Sequence, residues 1–341
     1  MNLHTLQVLW YLVIAVSVVF YVMLDGFDLG VGILHLFVKK DHDRRTFLNA
    51  IGPVWDGNEV WLVVIIGALF AGFPDIYATV MTAFYTMTMI FLVGIMFRAV
   101  AIEFRSKQAS MRWRGCWDIS FCFASILITF LLGVMLGNLI QGIPLNSDKE
   151  FIGGFFDLFS LYTIVIGIFA LSLFALHGCI YLLMKTTHEL QAHIRKWLRP
   201  LLFFFSISYV FATVMTFWKH PYMVERIRAH PATIILPLLT LAGIFLIPRM
   251  VAKQREGRAF IVSCLTMASL FALFGVGSYP IILRSNLDPM TNSLTIADSS
   301  TAYTLRILLL IAVIGVPLVL AYGMYVYHIF RGKVKITDSS Y

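Results

Sequence analysis

The chain alternates long apolar segments with short segments that hold most of its charged residues. Each apolar segment is continuous over roughly 20 residues, the length of an α-helix that crosses a bilayer, rather than the alternating ~10 residues of a membrane β-strand. In hydrocarbon every backbone N–H and C=O needs a partner within the protein, and a helix provides these partners by itself. We place helices at residues 6–38, 52–72, 77–102, 116–139, 158–184, 200–218, 231–250, 259–284 and 303–329. The pattern predicts an all-α, polytopic integral membrane helical bundle of about nine transmembrane helices, with residues 1–341 as a single transmembrane domain.

Composition supports the same class. Of 341 residues, 60% are hydrophobic and 13% are charged, and the mean hydropathy is +0.85. Soluble domains carry about 25% charged residues, so water is not the main solvent of this chain. The cysteines lie in or beside apolar segments without CxxC spacing, and we interpret them as small core residues rather than metal ligands or disulfide partners. They are Cys116, Cys122, Cys179 and Cys264.

The positions of Lys and Arg predict the orientation of the chain. Most of the 26 basic residues lie in the odd-numbered connections between predicted helices and in the C-terminal tail. Cytoplasmic connections carry such an excess, so we expect a periplasmic N-terminus and a cytoplasmic C-terminus. The net charge of +8 follows from this distribution, and we expect no nucleic-acid partner.

Ionisable side chains within the predicted helices are the main candidates for function, because each costs at least about 2.5–3.5 kcal/mol at the bilayer centre. In the first helix Asp25, Asp28 and His35 share one face. Gly30 and Gly32 on the same helix leave room for another helix to approach closely. The first helix is therefore expected to turn a polar stripe toward the interior of the bundle.

The second and third helices carry the remaining candidates. Asp56 and Glu59 are three residues apart and share a face of the second helix, whereas Trp61 is turned about 140° from Asp56. Counting about 1.5 Å per residue from the cytoplasmic connections puts Asp56 and Arg98 roughly 10 Å into the membrane. We therefore expect Asp56, Glu59 and Arg98 to share a depth.

Two interpretations of these charges stay open. In one, Arg98 neutralises a carboxylate in a buried ion pair that allows the helices to pack. In the other, the carboxylates form a proton pathway from the cytoplasm. One arginine cannot neutralise four acids, so Arg98 is assigned to charge balance and at least one acid to proton transfer. The candidates for the proton pathway are Asp56, Asp25, Asp28 and Glu59.

The rest of the sequence offers no catalytic centre. It contains no phosphate-binding loop, nucleophile triad or metal motif, so we expect no catalytic, cofactor-binding or metal residue in this chain. His177 is a lone histidine among Leu and Phe, and we interpret it as a core residue rather than a metal ligand.

Several motifs follow one another along the chain. They are DGFDLGVG at 25–32, GPVWDGNEVWL at 52–62, Phe97 with Arg98, Arg105 to Lys107, RWRGCWD at 112–118, GNLIQGIP at 137–144 and SLTIADS at 293–299. In this order they resemble subunit II of the cytochrome bd ubiquinol oxidase family. The likeness spans nearly the whole chain and is dense up to about residue 148.

The resemblance implies a subunit of a terminal oxidase, a quinol:oxygen oxidoreductase that reduces dioxygen to water and contributes to the proton motive force without pumping. It implies that two b-type haems, one d-type haem and the quinol site belong to subunit I, and that this chain alone binds no cofactor. The implied partners are the haem-bearing subunit I, membrane lipid, quinone and, in addition, a small single-helix accessory subunit. The implied location is the bacterial cytoplasmic (inner) membrane.

By position, the resemblance assigns proton uptake to Asp56 and places Trp61 near the mouth of a dioxygen channel. Members carry Gln as well as Glu at the position of Glu59, and His35 lies outside the matched motifs. Whether the chain belongs to the branch called cyanide-insensitive oxidase stays open. Two other functions also stay open: a secondary transporter that uses the membrane-embedded acids as an ion site, and a structural subunit without a proton path.

Overall fold

The computed structural model describes residues 1–229 and 231–336. Within these residues nine helical segments are long and apolar enough to cross a membrane, which confirms the predicted all-α bundle of about nine spans. The helices are α1 (Leu3–Leu34), α2 (Asp41–Ile51), α3 (Trp55–Gly72), α4 (Pro74–Ala83), α5 (Tyr85–Phe104), α6 (Met111–Gln141), α7 (Leu161–Lys185), α8 (His188–Lys219), α9 (Pro221–Ala229), α10 (Ile235–Ala252), α11 (Glu256–Ser278) and α12 (Ala302–Ile329).

The connections hold more structure than the hydrophobic pattern indicates. α2 lies in the first connection, where Asp41 occupies the first turn and Phe47 and Ile51 are buried. α8 begins at His188, well before the predicted residue 200, because the polar segment before residue 200 contains good helix formers although it fails a hydropathy criterion. Polar amphipathic helices therefore extend the bundle at this end.

Two predicted helices have different limits in the structure. The predicted helix 77–102 is interrupted at Phe84, which separates α4 from α5. The predicted helix 259–284 ends at Ser278, because Pro280 cannot continue a helix. The strands β1 (Ile281–Leu283) and β2 (Leu294–Thr295) follow and pair antiparallel before α12 begins.

α1 is the central helix and packs against α3, α6, α7, α11 and α12. Its closest approach is to α7, where a Cβ atom at Gly30 would overlap the carbonyl oxygen of Phe174 and lie 2.8 Å from Gly178 N. Glycine at residue 30 therefore sets the distance between these helices, as expected. In contrast, the residues of α12 are exposed or half-buried, with Leu305 as its one buried residue.

The two ends of the bundle differ in charge. The basic end holds the end of α1, the start of α3, the end of α5 and the start of α6, with Arg44, Arg105, Arg114 and Arg195. The opposite end holds β1, β2 and the start of α12.

Candidate functional site

Arg98 is the centre of a buried ion cluster formed by α1, α3 and α5. Its side chain is 0% exposed, with Nη2 2.8 Å from Asp25 Oδ1 and Nη1 2.6 Å from Glu59 Oε1. Nη2 also lies 4.0 Å from Asp28 Oδ2. Three of the four predicted acids therefore meet the arginine that was assigned to charge balance. We call Arg98, Asp25, Asp28 and Glu59 the upper cluster.

Asp28 is held by an amide that the sequence analysis did not single out. Asn58 Nδ2 donates a hydrogen bond of 2.7 Å to Asp28 Oδ2, and the Tyr327 hydroxyl donates one of 2.8 Å to Asn58 Oδ1. Asn58 belongs to the WDGN motif, so the sequence contained a signal for it. Tyr327 lies on the last helix, and only the fold brings it here. Asp28 Oδ1 has no partner among the described residues.

The upper cluster contains three carboxyl groups and one guanidinium group. If all four groups were ionised, the cluster would hold an excess of negative charge, and an unpaired buried charge costs several kcal/mol. A carboxyl group can bind a proton, whereas the guanidinium group keeps its charge. The composition of the cluster therefore favours retention of at least one proton among the carboxyl groups.

Asp56 lies outside the upper cluster. It is exposed in the first turn of α3 and forms no hydrogen bond or ion pair with the described part of the chain. The structure therefore joins Glu59 but not Asp56 to Arg98. The depth of these residues in the membrane stays a prediction. Asp56 lies about 4.5 Å nearer the basic end than Glu59.

Trp61 points into the bundle. Its side chain is 3% exposed, and its ring stacks on Phe20 of α1 with the centroids 4.6 Å apart. Asp56 is exposed on the other side of α3, in agreement with the angle of about 140° between the two residues. The assignment of dioxygen access to Trp61 stays a prediction.

A second ion cluster, which the sequence analysis missed, lies nearer the basic end. Asp118 is buried and contacts His35 Nε2 at 2.6 Å, Arg105 Nε at 2.5 Å and Arg44 Nη1 at 2.8 Å. Arg105 Nη2 also lies 2.8 Å from Asp41 Oδ1. These contacts tie α2, α6 and the ends of α1 and α5 together. We call His35, Asp41, Arg44, Arg105, Arg114 and Asp118 the lower cluster, in which Arg114 pairs with Asp41 at 2.9 Å.

His177 is buried between α1 and α11. Its Nδ1 lies 2.8 Å from Ser263 Oγ, and its Nε2 lies 3.0 Å from Met23 O, so both ring nitrogens have partners within the protein. This environment is that of a core residue. In the described residues no group of three or more His, Cys, Asp or Glu side chains is arranged to hold a metal ion. That the chain binds no haem stays a prediction.

The chain matches a family model described as cytochrome bd terminal oxidase subunit II over residues 6–330. It is 30% identical to the cytochrome bd-I ubiquinol oxidase subunit 2 of Escherichia coli (strain K12), over 98% of this chain and 97% of the relative. It is 31% identical to the cytochrome bd ubiquinol oxidase subunit 2 of Bacillus subtilis (strain 168), over 97% of each chain. A chain of the bd oxidase from Geobacillus thermodenitrificans shares the fold, with a TM-score of 0.76 at 18% identity over 95% of this chain and 98% of that one. The chain therefore belongs to the cytochrome bd terminal oxidase subunit II family, whose compared members are subunits of a quinol:oxygen oxidoreductase.

Proposed function

We propose that this chain is the haem-free second subunit of a bd-type terminal oxidase in the bacterial inner membrane. It supports a haem-bearing subunit I and conducts protons toward it from the cytoplasm, which the basic end faces. Reduction of dioxygen by quinol consumes protons, and protons taken from the cytoplasm contribute to the proton motive force without a pump. The alternative of a secondary transporter is not favoured, because the family match covers residues 6–330.

The observation that carries the proton role is the convergence of Asp25, Asp28 and Glu59 on Arg98. A proton cannot cross hydrocarbon unaided and needs titratable groups or water that lead inward. Asp56 is exposed at the basic end, the Glu59 side chain is 18% exposed, and the Asp25 side chain is 1% exposed. These carboxyl groups therefore lead from the surface into the interior, and Asp56 takes up the proton.

Asp56 also indicates where subunit I docks. On α3 it begins an exposed stripe that continues with Val60, Val63 and Phe70, which are 39%, 69% and 60% exposed. A carboxyl group on such a stripe is unfavourable against lipid but acceptable against a polar protein surface. We therefore assign this face of α3, with the neighbouring exposed face of α12, to the haem-bearing subunit.

Dioxygen access is assigned to Trp61. Dioxygen is apolar and enters between apolar side chains, whereas protons need polar ones. The stacked rings of Trp61 and Phe20 form such an apolar environment between α3 and α1. The opposite directions of Trp61 and Asp56 from α3 keep the two routes apart.

The proton role is tested with Asp56→Asn in the intact oxidase. Asparagine keeps the size of the side chain but removes the titratable group, so turnover is expected to fall several-fold while the haem spectrum and subunit assembly stay normal. Asp75→Asn is the matched control, because Asp75 is an exposed acid in the first turn of α4 at the opposite end. Wild-type turnover of Asp56→Asn with quinol and oxygen saturating would show that Asp56 does not take up the proton.

The haem-free assignment has its own test. The chain expressed without a partner subunit should show no haem absorption after purification. A stoichiometric haem spectrum in that preparation would contradict the assignment.

A further inference from the structure

The upper and lower clusters lie one above the other on the same helices. His35 follows Asp28 by seven residues at the end of α1, and Arg105 follows Arg98 by seven residues at the end of α5. Seven residues make about two helical turns, so the members of each pair share a face and lie about 10 Å apart along the helix. The clusters therefore occupy two levels of one region between α1, α5 and α6, which we call the α1–α5–α6 seam.

Ser125 of α6 lies between these two levels. It packs on Gly32, where a Cβ atom would overlap its hydroxyl oxygen, and Gly32 stands four residues after Asp28 and three before His35. Ser125 is fully buried, and its hydroxyl donates a hydrogen bond of 2.8 Å to Phe121 O. Its lone pairs can still accept a hydrogen bond.

Thr129 extends this polar face by one more turn. α1 and α6 run in opposite directions, because His35 at the end of α1 meets Asp118 near the start of α6. One turn beyond Ser125, Thr129 therefore reaches the level of Asp28. Thr129 is fully buried, and its hydroxyl has no partner among the described residues.

Unpartnered polar atoms concentrate in the seam. Among the described residues seven buried side-chain N or O atoms lack a hydrogen-bond partner, and five of them belong to Thr129 or to the two clusters. Buried polar groups nearly always have a partner, and where no protein atom serves, internal water does. Their concentration between two charged clusters indicates a common hydrated site rather than scattered packing defects. The five atoms are Asp28 Oδ1, His35 Nδ1, Arg98 Nε, Arg105 Nη1 and Thr129 Oγ1.

We propose that water bound in the α1–α5–α6 seam, with Ser125 and Thr129 as lining residues, connects the lower cluster to Asp28 as a second route for proton uptake. The inference rests on the proposed role of the upper cluster as a proton carrier, but it does not involve Asp56. The route starts at the surface of the basic end, since the Asp41 side chain is 27% exposed. It ends at the unpartnered oxygen of Asp28.

Proton transfer along this route is balanced. Each step forms one O–H or N–H bond as the neighbouring O–H or N–H bond breaks, so one proton enters from the basic end for each proton delivered to the Asp28 carboxylate. No group is oxidised or reduced. Ser125 and Thr129 act as positioning residues, because their hydroxyl groups hold the water between the two levels.

The competing explanation is that the lower cluster only holds helix ends together and that the hydroxyl groups fill space. Thr129→Val distinguishes the two, because valine keeps the shape of threonine and removes the hydroxyl group. Thr129→Ser does the reverse, since it keeps the hydroxyl group and removes a methyl group. Thr240→Val is the matched control, because Thr240 is fully buried in α10 and its hydroxyl bonds to Leu236 O of the same helix.

The variants are compared in the intact two-subunit oxidase, with and without Asp56→Asn. Quinol turnover is measured at saturating oxygen in H2O and in D2O, and haem spectra establish assembly. We expect Thr129→Val alone to lower turnover by less than about twofold and to raise the solvent isotope effect, because the Asp56 route still carries most of the protons, while Thr129→Ser and Thr240→Val stay near wild type. In the Asp56→Asn background Thr129→Val should lower the remaining turnover several-fold, because the second route then carries most of the proton flux.

The outcomes separate this inference from the proposed role of Asp56. The second route is overturned if Thr129→Val and Thr240→Val show the same turnover and the same solvent isotope effect. It is also overturned if Thr129→Val and Thr129→Ser lose the same fraction of turnover. If Thr129→Val slows turnover and Asp56→Asn does not, the second route stands and the role of Asp56 fails. If Thr129→Val does not assemble, Ser125→Ala replaces it, and the same comparison decides.

Discussion

The hydroxyl of Tyr327 donates a hydrogen bond of 2.8 Å to Asn58 Oδ1, and the amide of Asn58 in turn donates one of 2.7 Å to Asp28. This relay links α12, a helix with a single buried residue, to the upper cluster. A change at the surface of α12 can therefore reach the buried acids through two hydrogen bonds.

Tyr327→Phe should lower the stability of the assembled oxidase by about 1 kcal/mol, because it removes one hydrogen bond and leaves the Asn58 oxygen unpaired. The thermal unfolding midpoint of the purified complex measures this effect. Tyr325→Phe is the control, since the Tyr325 ring is 64% exposed on the same helix. Equal midpoints for the two variants would show that the relay contributes nothing to stability.

Arg98→Met should impair assembly, at a cost of roughly 3–5 kcal/mol, because Asp25 and Glu59 lose their partner in the interior. The yield of the assembled complex is the measurement. Adding Glu59→Gln should recover part of the yield, because it removes one of the uncompensated charges. Arg306→Met is the control, since Arg306 is exposed and donates a hydrogen bond of 3.2 Å to Met1 O. Equal yields for Arg98→Met and Arg306→Met would contradict the assigned charge balance.

Much of the upper cluster can be predicted from the sequence. Continuous apolar runs predict the spans, and the high cost of charge in a bilayer selects Asp25, Asp28, Glu59 and Arg98. That Asp56 stays outside the cluster could not be predicted, because its spacing from Glu59 does not show which of the two carboxyl groups reaches Arg98. Helical periodicity fixes the face on which a residue lies, but it does not identify the helix that this face meets.

The lower cluster could not be predicted, because its contacts join residues of different helices. Arg44, Arg105 and Arg114 are fully explained at the level of sequence by the excess of basic residues in cytoplasmic connections. Asp118 was the available signal, since it is an acid at the start of a long apolar run. Asp118 becomes part of a cluster through its contact with His35 of another helix, and that contact forms only when the chain folds.

Asp118→Asn should destabilise the complex more than Asp41→Asn. The Asp118 side chain is 1% exposed and compensates the buried Arg105, so its loss should cost about 3–5 kcal/mol. The Asp41 side chain is 27% exposed, and its ion pairs are screened by solvent, so its loss should cost about 1 kcal/mol or less. Thermal unfolding midpoints of the two variants give the comparison. A larger drop in the unfolding midpoint for Asp41→Asn than for Asp118→Asn would contradict the prediction that the more buried acid contributes more to stability.

Trp61→Phe should change the apparent KM for oxygen and leave the turnover number at saturating oxygen near wild type. The reason is that a smaller ring alters the packing on Phe20 at the assigned dioxygen route without touching the acids. Trp197→Phe, a partly buried ring on α8, is the control. An unchanged KM for oxygen would count against a role of Trp61 in oxygen access.

The connection between β2 and α12 should give the protein a pH-dependent increment of stability. Lys149 Nζ lies 2.6 Å from Asp298 Oδ1, and Thr295 N donates a hydrogen bond of 2.8 Å to Asp298 Oδ2. Partial burial opposes ionisation of Asp298, but these donors outweigh it and hold the pKa of Asp298 below its usual range. The ionised carboxylate therefore stabilises the folded state.

The direction of this pH dependence follows from the difference between the pKa of Asp298 in the folded and in the unfolded state. An unfolded Asp has a pKa of about 3.9, so the contribution of Asp298 is fully present above that pH and is lost as the pH falls through the lower pKa of the folded state. Asp298→Asn should lower the free energy of unfolding by about 1 kcal/mol near neutral pH, since it removes one charge-assisted hydrogen bond that is partly open to solvent. Thermal unfolding of wild type and variant over a pH series should show two curves that converge below about pH 4. Asp148→Asn is the control, because Asp148 is exposed in the same outer region, and its unfolding midpoint should follow that of wild type over the whole pH series. A difference between wild type and Asp298→Asn that grows toward low pH would reverse the predicted sign and show that the folded state favours the protonated form of Asp298.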